Sequence, residues 1–434
     1  MGIFLMSDKY YMPLINGKAQ SETSFGVNLL SFILATAILL LCKYLSIDDL
    51  THLFIIYVVS LVSINISLEI MFYPETCVYT RWKIRRHIDW KRVFYKEVAL
   101  LVTLAVIGFL YWLLPMFAYN DFKLIYFPFL KYLVPFMLIT SVPYFCLMDK
   151  IDEEPNDVYY ELGHSIIHLK KMKGFAFGNY VRSWLVKAFW LSLMQPAAVK
   201  DIKWFVNLIW SNDLNNPHEW FWRANSMCFF IDLAYTAAGY LVNLKILNSH
   251  TRTAEPTLLG WLVAIMCYWP FWGVLFYPFF FRYEEMQWIN YFRSGSAIWW
   301  TWFGMIIFLE FLYSMATVAA GFRFSNLTYR GLWNTGPYKY TKHPAYVFKN
   351  ISWWLISIPF MAATPALAIK LSCLLLGNNI IYYMRAKTEE RHLSHYPEYV
   401  EYALMMNQKS IFRGMAKIFP FLKYKPLKQE QRVF

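Results

Sequence analysis

The chain has 434 residues, 58% hydrophobic, 20% aromatic and 16% charged, with a formal charge of +13. Soluble globular chains carry about 25% charged residues, so this composition excludes an ordinary soluble enzyme, and apolar runs of about 20 residues, the length that crosses a bilayer, recur along it. The excess of Lys and Arg reads as topological, gathered in cytoplasmic loops, and not as a nucleic-acid footprint.

Residues Met1 to Thr23 form a polar lead-in without a basic region followed directly by an apolar core, so no cleaved signal peptide is expected. Met6 stands where the myristoylation pattern needs Ser or Thr. Spans are expected over about Phe25 to Leu45 and Leu53 to Phe72. The run from Arg81 to Lys96 is the densest in basic residues, which places it, and with it the N-terminus, in the cytoplasm. Spans follow at Val98 to Phe117 and Ile125 to Leu147, where Pro128, Pro135 and Pro143 should kink the second.

An acidic patch at Asp149 to Asp157 leads into a long cytoplasmic segment. His164 and His168 in it stand at i and i+4, a spacing that could ligate a metal. With no Glu between them and no third ligand, a solvated or interfacial helix is the default and no metal is expected. The six cysteines are scattered without a CxxC pair, so buried thiols are expected in place of disulfides or zinc.

Trp184 to Trp210 is interrupted by Lys187, Lys200, Asp201 and Lys203. Spans at Phe229 to Leu247, Leu258 to Phe281 and Ile298 to Ala320 then lead to a basic segment (Arg323, Arg330, Lys339, Lys342, Lys349). Three crossings cannot begin and end on one side, so Trp184 to Trp210 is counted as a crossing. With a final hairpin the total is roughly ten spans, both termini in the cytoplasm. Ser249 to Trp261 reads as a tight cytoplasmic turn, with Glu255-Pro256 opening the next helix. Glu69, Asp232, Lys245 and Glu310 lie in or beside apolar spans, where each should find a polar contact inside the bundle, with Glu69 or Glu310 alternatively lining a substrate tunnel. Asp232 and Lys245, near opposite ends of one helix, are not expected to be partners.

The most informative stretch runs from Gly331 to Tyr402. It holds Thr335, Gly336, Pro337 and Tyr338, then Lys342, His343, Pro344 and Tyr346. After an apolar hairpin come Arg385, Thr388, Glu389, Glu390 and Leu393, followed by Tyr399 and Tyr402. The hairpin returns the chain to the side it left, so the two polar halves should meet and form a pocket at a membrane face. Taken singly, Arg385 and Glu389 could be a surface i, i+4 ion pair, His343-Pro344 a helix start, and Tyr338, Tyr340 and Tyr346 interfacial belt residues.

In order and spacing these residues resemble the isoprenylcysteine carboxyl methyltransferase family and its phospholipid methyltransferase relatives, over about the last quarter of the chain. The resemblance implies an all-α polytopic membrane fold, S-adenosylmethionine as cofactor, and a lipid or lipid-modified methyl acceptor, an isoprenylcysteine-like one among them. It places Gly336, Pro337, Tyr338, His343, Pro344, Tyr346, Glu389 and Glu390 around the cofactor, with Arg385 and His343 as the catalytic candidates and no metal. Three positions depart from the pattern. Lys342 replaces an arginine, keeping charge but losing the bidentate fork. Phe348 replaces a glycine, and Pro397 replaces another.

A carboxylate suits the ammonium or ribose hydroxyls of such a cofactor, because both are donors. Methyl transfer by direct displacement depends on in-line positioning. A carboxylate acceptor needs no general base and could be held by Arg385 in a bidentate pair; a hydroxyl acceptor needs one, and His343 or a Glu is the candidate. The expected division is 1–320 as a multi-span region, a possible route for substrate, and 321–434 as the methyltransferase-like module with a cytoplasmic tail. Two other functions fit less of the pattern. Sterol-type reductases, which use NADPH, share a similar C-terminal turn, but Ala345 stands where they carry Asn. A transporter or scaffold could keep the module as a fold without catalysis.

Overall fold

Six helices among the described residues are long and apolar enough to cross a membrane: Phe25–Tyr44, Leu50–Phe72, Trp90–Leu113, Phe122–Ile151, Ala297–Arg323 and Pro365–Leu393. The structure, a computed structural model, describes residues 20–73, 83–172, 174–208, 216–275 and 287–427. Expectations for Met1 to Ala19, Arg81, Trp82, Cys77, Ile209, Trp210, the end of the Leu258 to Phe281 run, and the last seven residues lie outside them.

In chain order the helices are α1 (Phe25–Tyr44), α2 (Leu50–Phe72), α3 (Trp90–Leu113), α4 (Phe127–Ile151), α5 (Val158–Ile167), α6 (Gly174–Leu208) and α7 (Pro217–Leu241). Next come α8 (Leu258–Ile265), α9 (Phe271–Leu275), α10 (Trp288–Tyr291), α11 (Ala297–Ala320), α12 (Pro344–Ser357), α13 (Pro365–Leu393) and α14 (Pro397–Lys409). The described chain also has short 3-10 turns, a π-helical segment Phe122–Tyr126 leading into α4, a four-residue helix Met415–Ile418, and two two-residue strands, β1 (Thr253–Ala254) and β2 (Thr328–Tyr329), paired antiparallel. The fold is that of an all-α membrane protein. Side chains of Asp49, Asp89, Asp157, Asn216, Thr257, Ser296 and Thr364 accept backbone N–H bonds at seven helix starts. Pro217, Pro344, Pro365 and Pro397 occupy first turns, where the missing N–H costs nothing.

Two expectations about spans are corrected. Leu258 to Phe281 is not one helix: α8 ends at Ile265 and a new helix starts at Phe271, with Pro270, which lacks an N–H to continue the ladder, between them. The first leg of the final hairpin, α12, has 14 residues, about 21 Å of helix at 1.5 Å per residue, short of a hydrocarbon core of about 30 Å. The helices α6 and α7 are long but too polar to count by composition, so six candidate spans stand beside the roughly ten expected. Pro135 and Pro143 lie within α4, which remains helical from Phe127 to Ile151.

The basic run and the acidic patch neutralise each other. Arg92 pairs with Asp149 at 2.8 Å, the fully buried Lys96 with Asp157 at 2.8 Å, and Arg85 with Glu153 at 2.5 Å. The start of α3 and the end of α4 therefore share one side. Lys245 pairs with Asp152 at 2.5 Å and not with Asp232. Glu69 pairs with Arg323 at 2.8 Å.

Two buried polar residues knit the N-terminal helices to the C-terminal module. Asn28 in α1 donates to the Val318 carbonyl of α11 at 2.7 Å, accepts from Asn65 of α2 at 2.7 Å, and its own carbonyl accepts from Tyr235 of α7. Arg330 donates to the carbonyls of Gly239 at 2.6 Å, Ser249 at 2.6 Å, Phe324 at 3.0 Å and Val242. Gly239 and Val242 sit at the end of α7, so the guanidinium satisfies carbonyls that the helix itself leaves open. Burial lowers the Arg330 pKa to about 9, with Arg323 adding to the shift.

Candidate active site

The two polar halves of the Gly331 to Tyr402 stretch meet. The turn begins at Gly336, whose φ of +57° is left-handed and where a Cβ would stand 2.6 Å from the Phe25 ring, so glycine is required on both counts. Pro337 opens the short 3-10 turn Gly336–Lys339. The Tyr338 carbonyl accepts from Tyr402 of α14 at 2.8 Å, and burial raises the pKa of the Tyr338 hydroxyl. Tyr338 and Tyr346 line the central cavity whereas Tyr340 is exposed, so only Tyr340 fits the interfacial-belt reading.

Lys342 and His343 precede Pro344, the first residue of α12, and both reach Glu390 on α13. Lys342 Nζ lies 2.6 Å and His343 Nε2 3.2 Å from Glu390 Oε1, and Lys387 Nζ lies 2.7 Å from Oε2. One carboxylate thus gathers three basic groups. Burial lowers the Lys342 pKa, against the opposing pull of Glu390. The neighbouring Glu389 differs: its side chain is 41% exposed, it accepts from the Tyr346 hydroxyl at 2.7 Å, and its Oε2 lies 4.0 Å from His343 Nδ1. The His343 and Tyr346 rings stack at 5.5 Å, 7° from parallel.

Arg385 is buried and forms no ion pair with Glu389, which sets aside the surface-pair reading. Nη2 donates to Asn326 at 2.5 Å, and the guanidinium lies over Tyr346 at 4.9 Å and Tyr268 at 5.4 Å. No carboxylate pairs with it among the described residues. Arg385 therefore offers the rest of its donor fork to the cavity, where a carboxylate could take it bidentately.

The cavity is walled by α7, α11, α12, α13 and α14 and by the 324–333 loop, and it includes Asp232, Tyr268, Tyr313, Asn326, Lys349 and Tyr382. Sequence reading missed Tyr268, Tyr313, Asn326 and Tyr382 as site residues. It flagged Asp232 only as an intramembrane charge and Lys349 only as a topological one. The signal for Lys349 was available, since Tyr346, Lys349 and Trp353 stand at i, i+3 and i+7 on one face of α12. Asp232 accepts from Tyr313 at 2.7 Å and from Thr317. Phe348 does not line the cavity, and Pro397 occupies only the first turn of α14. The floor is pinned where Thr253 of β1 meets His392 Nε2 at 2.9 Å and the Tyr396 hydroxyl at 2.5 Å. His164 and His168 are far simpler: their rings lie 4.4 Å apart and His168 Nε2 meets the Tyr95 hydroxyl at 3.0 Å. No cluster of three or more His, Cys, Asp or Glu that could hold a metal occurs among the described residues.

Residues 302–395 match the isoprenylcysteine carboxyl methyltransferase (ICMT) family. The match starts inside α11 and ends just past α13, so it contains the turn, both legs of the hairpin and the Arg385 to Glu390 cluster. It bears out the resemblance drawn from those residues and supports a membrane methyltransferase. No curated protein and no solved structure matches the chain.

Proposed function

We propose that the chain is an S-adenosylmethionine-dependent membrane methyltransferase acting on a lipid or lipid-modified acid, with isoprenylcysteine-like acceptors within its range. One observation carries this reading: a buried guanidinium, Arg385, faces the cavity without a carboxylate partner, beside the Tyr346–Glu389 pair and inside the stretch that matches the family.

The donor set fits the cofactor. Glu389, the more exposed carboxylate, suits an ammonium or ribose hydroxyls. Tyr338, Tyr346 and the Gly336-Pro337 backbone suit an adenine, which needs an aromatic slot with a few backbone partners. Pro344 fixes the start of α12 so that His343 and Tyr346 present to the same space, and Glu390 holds His343 and Lys342 in place. When bound, S-adenosylmethionine supplies an electrophilic methyl group.

Arg385 orients the acceptor carboxylate, and the surrounding tyrosines exclude water from it. No proton need be removed from a carboxylate, and His343 Nε2 is engaged with Glu390 Oε1 at 3.2 Å. His343 is then a positioning residue. We place the site and both termini in the cytoplasm on the distribution of Lys and Arg, and we assign 1–320 to substrate access and 321–434 to the transferase module.

The test is transfer of a tritiated methyl group from S-adenosylmethionine into a membrane lipid extract by the detergent-purified full chain. Label that enters the organic phase and is released as methanol by base supports an acid acceptor. Label resistant to base overturns the carboxylate part of the reading, and no transfer that exceeds an Arg385→Met control overturns the reading itself.

A further inference from the structure

The cavity contains a second cation that stands in no ion pair among the described residues. Lys349 lies one helical turn beyond Tyr346, about 4.5 Å further along the α12 axis. Its ammonium rests over Tyr313 at 5.0 Å and Trp353 at 5.6 Å, and it forms neither an ion pair nor a hydrogen bond among the described residues. The acids whose charge reaches it, Asp232 and Glu310, form no ion pair with it, and Asp232 accepts from the Tyr313 and Thr317 hydroxyls. Aromatic faces attract a cation, but they offer an ammonium no hydrogen-bond acceptor, so a contacting anion is the complement this position can take.

Lys349 and Arg385 are two ends of one wall. Tyr382 packs edge-on against Tyr346 at 5.7 Å, on which Arg385 lies, and against Trp353 at 5.6 Å, on which Lys349 lies. Glu389 and His343 stand with Tyr346 on the Arg385 side of that wall, whereas Lys349 lies over Tyr313 of α11. The cofactor has a single carboxylate, so it can complement one of the two cations and not both.

We propose, on the reading of the protein as a methyltransferase, that Lys349 selects acceptors whose head carries a second negative charge: an amphiphile with a phosphate monoester or a dicarboxylate, one charge at Arg385 and the other at Lys349. A monocarboxylate would leave Lys349 unpaired and bind more weakly. The apolar tail would run between α11, α12 and α13, of which α11 and α13 are candidate membrane spans.

The experiment uses the full chain in detergent micelles, with tryptophan fluorescence reporting the titration of four probes: oleate, dioleoyl phosphatidate, hexadecylsuccinate and dioleoyl phosphatidylcholine. Wild type should prefer at least one of the doubly charged probes to oleate by about tenfold, the equivalent of one added charge contact. Which probe it prefers separates phosphate from dicarboxylate. Lys349→Met should lose that preference while keeping its affinity for oleate and S-adenosylmethionine, and Lys349→Arg should restore it. The proposal is overturned if wild type shows no preference for either doubly charged probe, if Lys349→Met keeps it, or if Lys349→Met loses S-adenosylmethionine binding, which would assign the lysine to the cofactor. Should wild type bind no S-adenosylmethionine yet discriminate the acids through Lys349, the methyltransferase reading fails and the acid subsite stands.

Discussion

The Tyr346 hydroxyl donates to Glu389 Oε2 at 2.7 Å across 43 residues of sequence. It joins the first turn of α12 to the last turns of α13, and it aims a carboxylate at the space between them. Tyr346→Phe keeps the ring that stacks on His343 and carries Arg385 but removes the donor. A net hydrogen bond is worth about 1 kcal/mol, so S-adenosylmethionine affinity should fall about fivefold with little change in thermal stability. An unchanged affinity would detach Glu389 from the cofactor.

Glu390→Gln and Glu389→Gln should separate a structural carboxylate from a binding one. Glu390 balances Lys342, His343 and Lys387 in a buried setting, and removing one member of a buried pair costs about 3 kcal/mol or more. Its variant should melt well below wild type. The half-exposed Glu389 should tolerate the change in stability and lose cofactor affinity instead. Melting curves with and without S-adenosylmethionine read both effects, and equal melting points would contradict the assignment.

Gly336→Ala tests the docking of the module on α1. The left-handed φ costs a non-glycine residue about 1–3 kcal/mol, and the new Cβ would stand 2.6 Å from the Phe25 ring. Phe25→Ala in the same chain should recover part of the loss, because it removes the clash and leaves the backbone strain. No recovery would mean that strain alone accounts for the defect.

Glu398 offers a pH signature. Burial raises its pKa above the ordinary value, against the lowering effect of the Tyr329 hydroxyl that donates to it at 2.5 Å. The folded state therefore holds this proton more tightly than the unfolded chain. Stability attributable to the group is present below pH 4.5, the ordinary value, and declines as the pH rises from there through the raised pKa. Glu398→Gln keeps an acceptor for Tyr329 and cannot ionise. Its melting temperature relative to wild type should climb between acidic and neutral pH; a constant difference would refute the shift.

How much of this was legible in the sequence follows from distance along the chain. Thr335 to Tyr346 and Arg385 to Leu393 are short patterns of turn and helix-start chemistry, and an apolar hairpin is enough to bring them together. Tyr268, Asn326 and Asp232 enter the same cavity from other elements through tertiary packing, which no local period encodes. The break at Pro270 was visible as a residue but hidden by the apolar run around it. Conversely, α6 was counted as a span by parity and α7 was read as a clear one, while their polar and charged content leaves both short of the hydropathy of the six candidate spans. The Lys96–Asp157 and Arg92–Asp149 pairs show why the basic run, read as topology, and the acidic patch, read as the lead into a cytoplasmic segment, belong to one neutralised corner.

The central claim is that the turn at Gly336 to Tyr346 and the Arg385 to Glu390 cluster together hold S-adenosylmethionine. Calorimetric titration of the purified full chain measures it directly, with NADPH as the competing cofactor. The account predicts binding of S-adenosylmethionine on the order of micromolar, weakened at least about tenfold by His343→Ala and by Glu389→Ala, and no heat from NADPH. Binding of NADPH alone, or S-adenosylmethionine binding that both variants leave untouched, would contradict it.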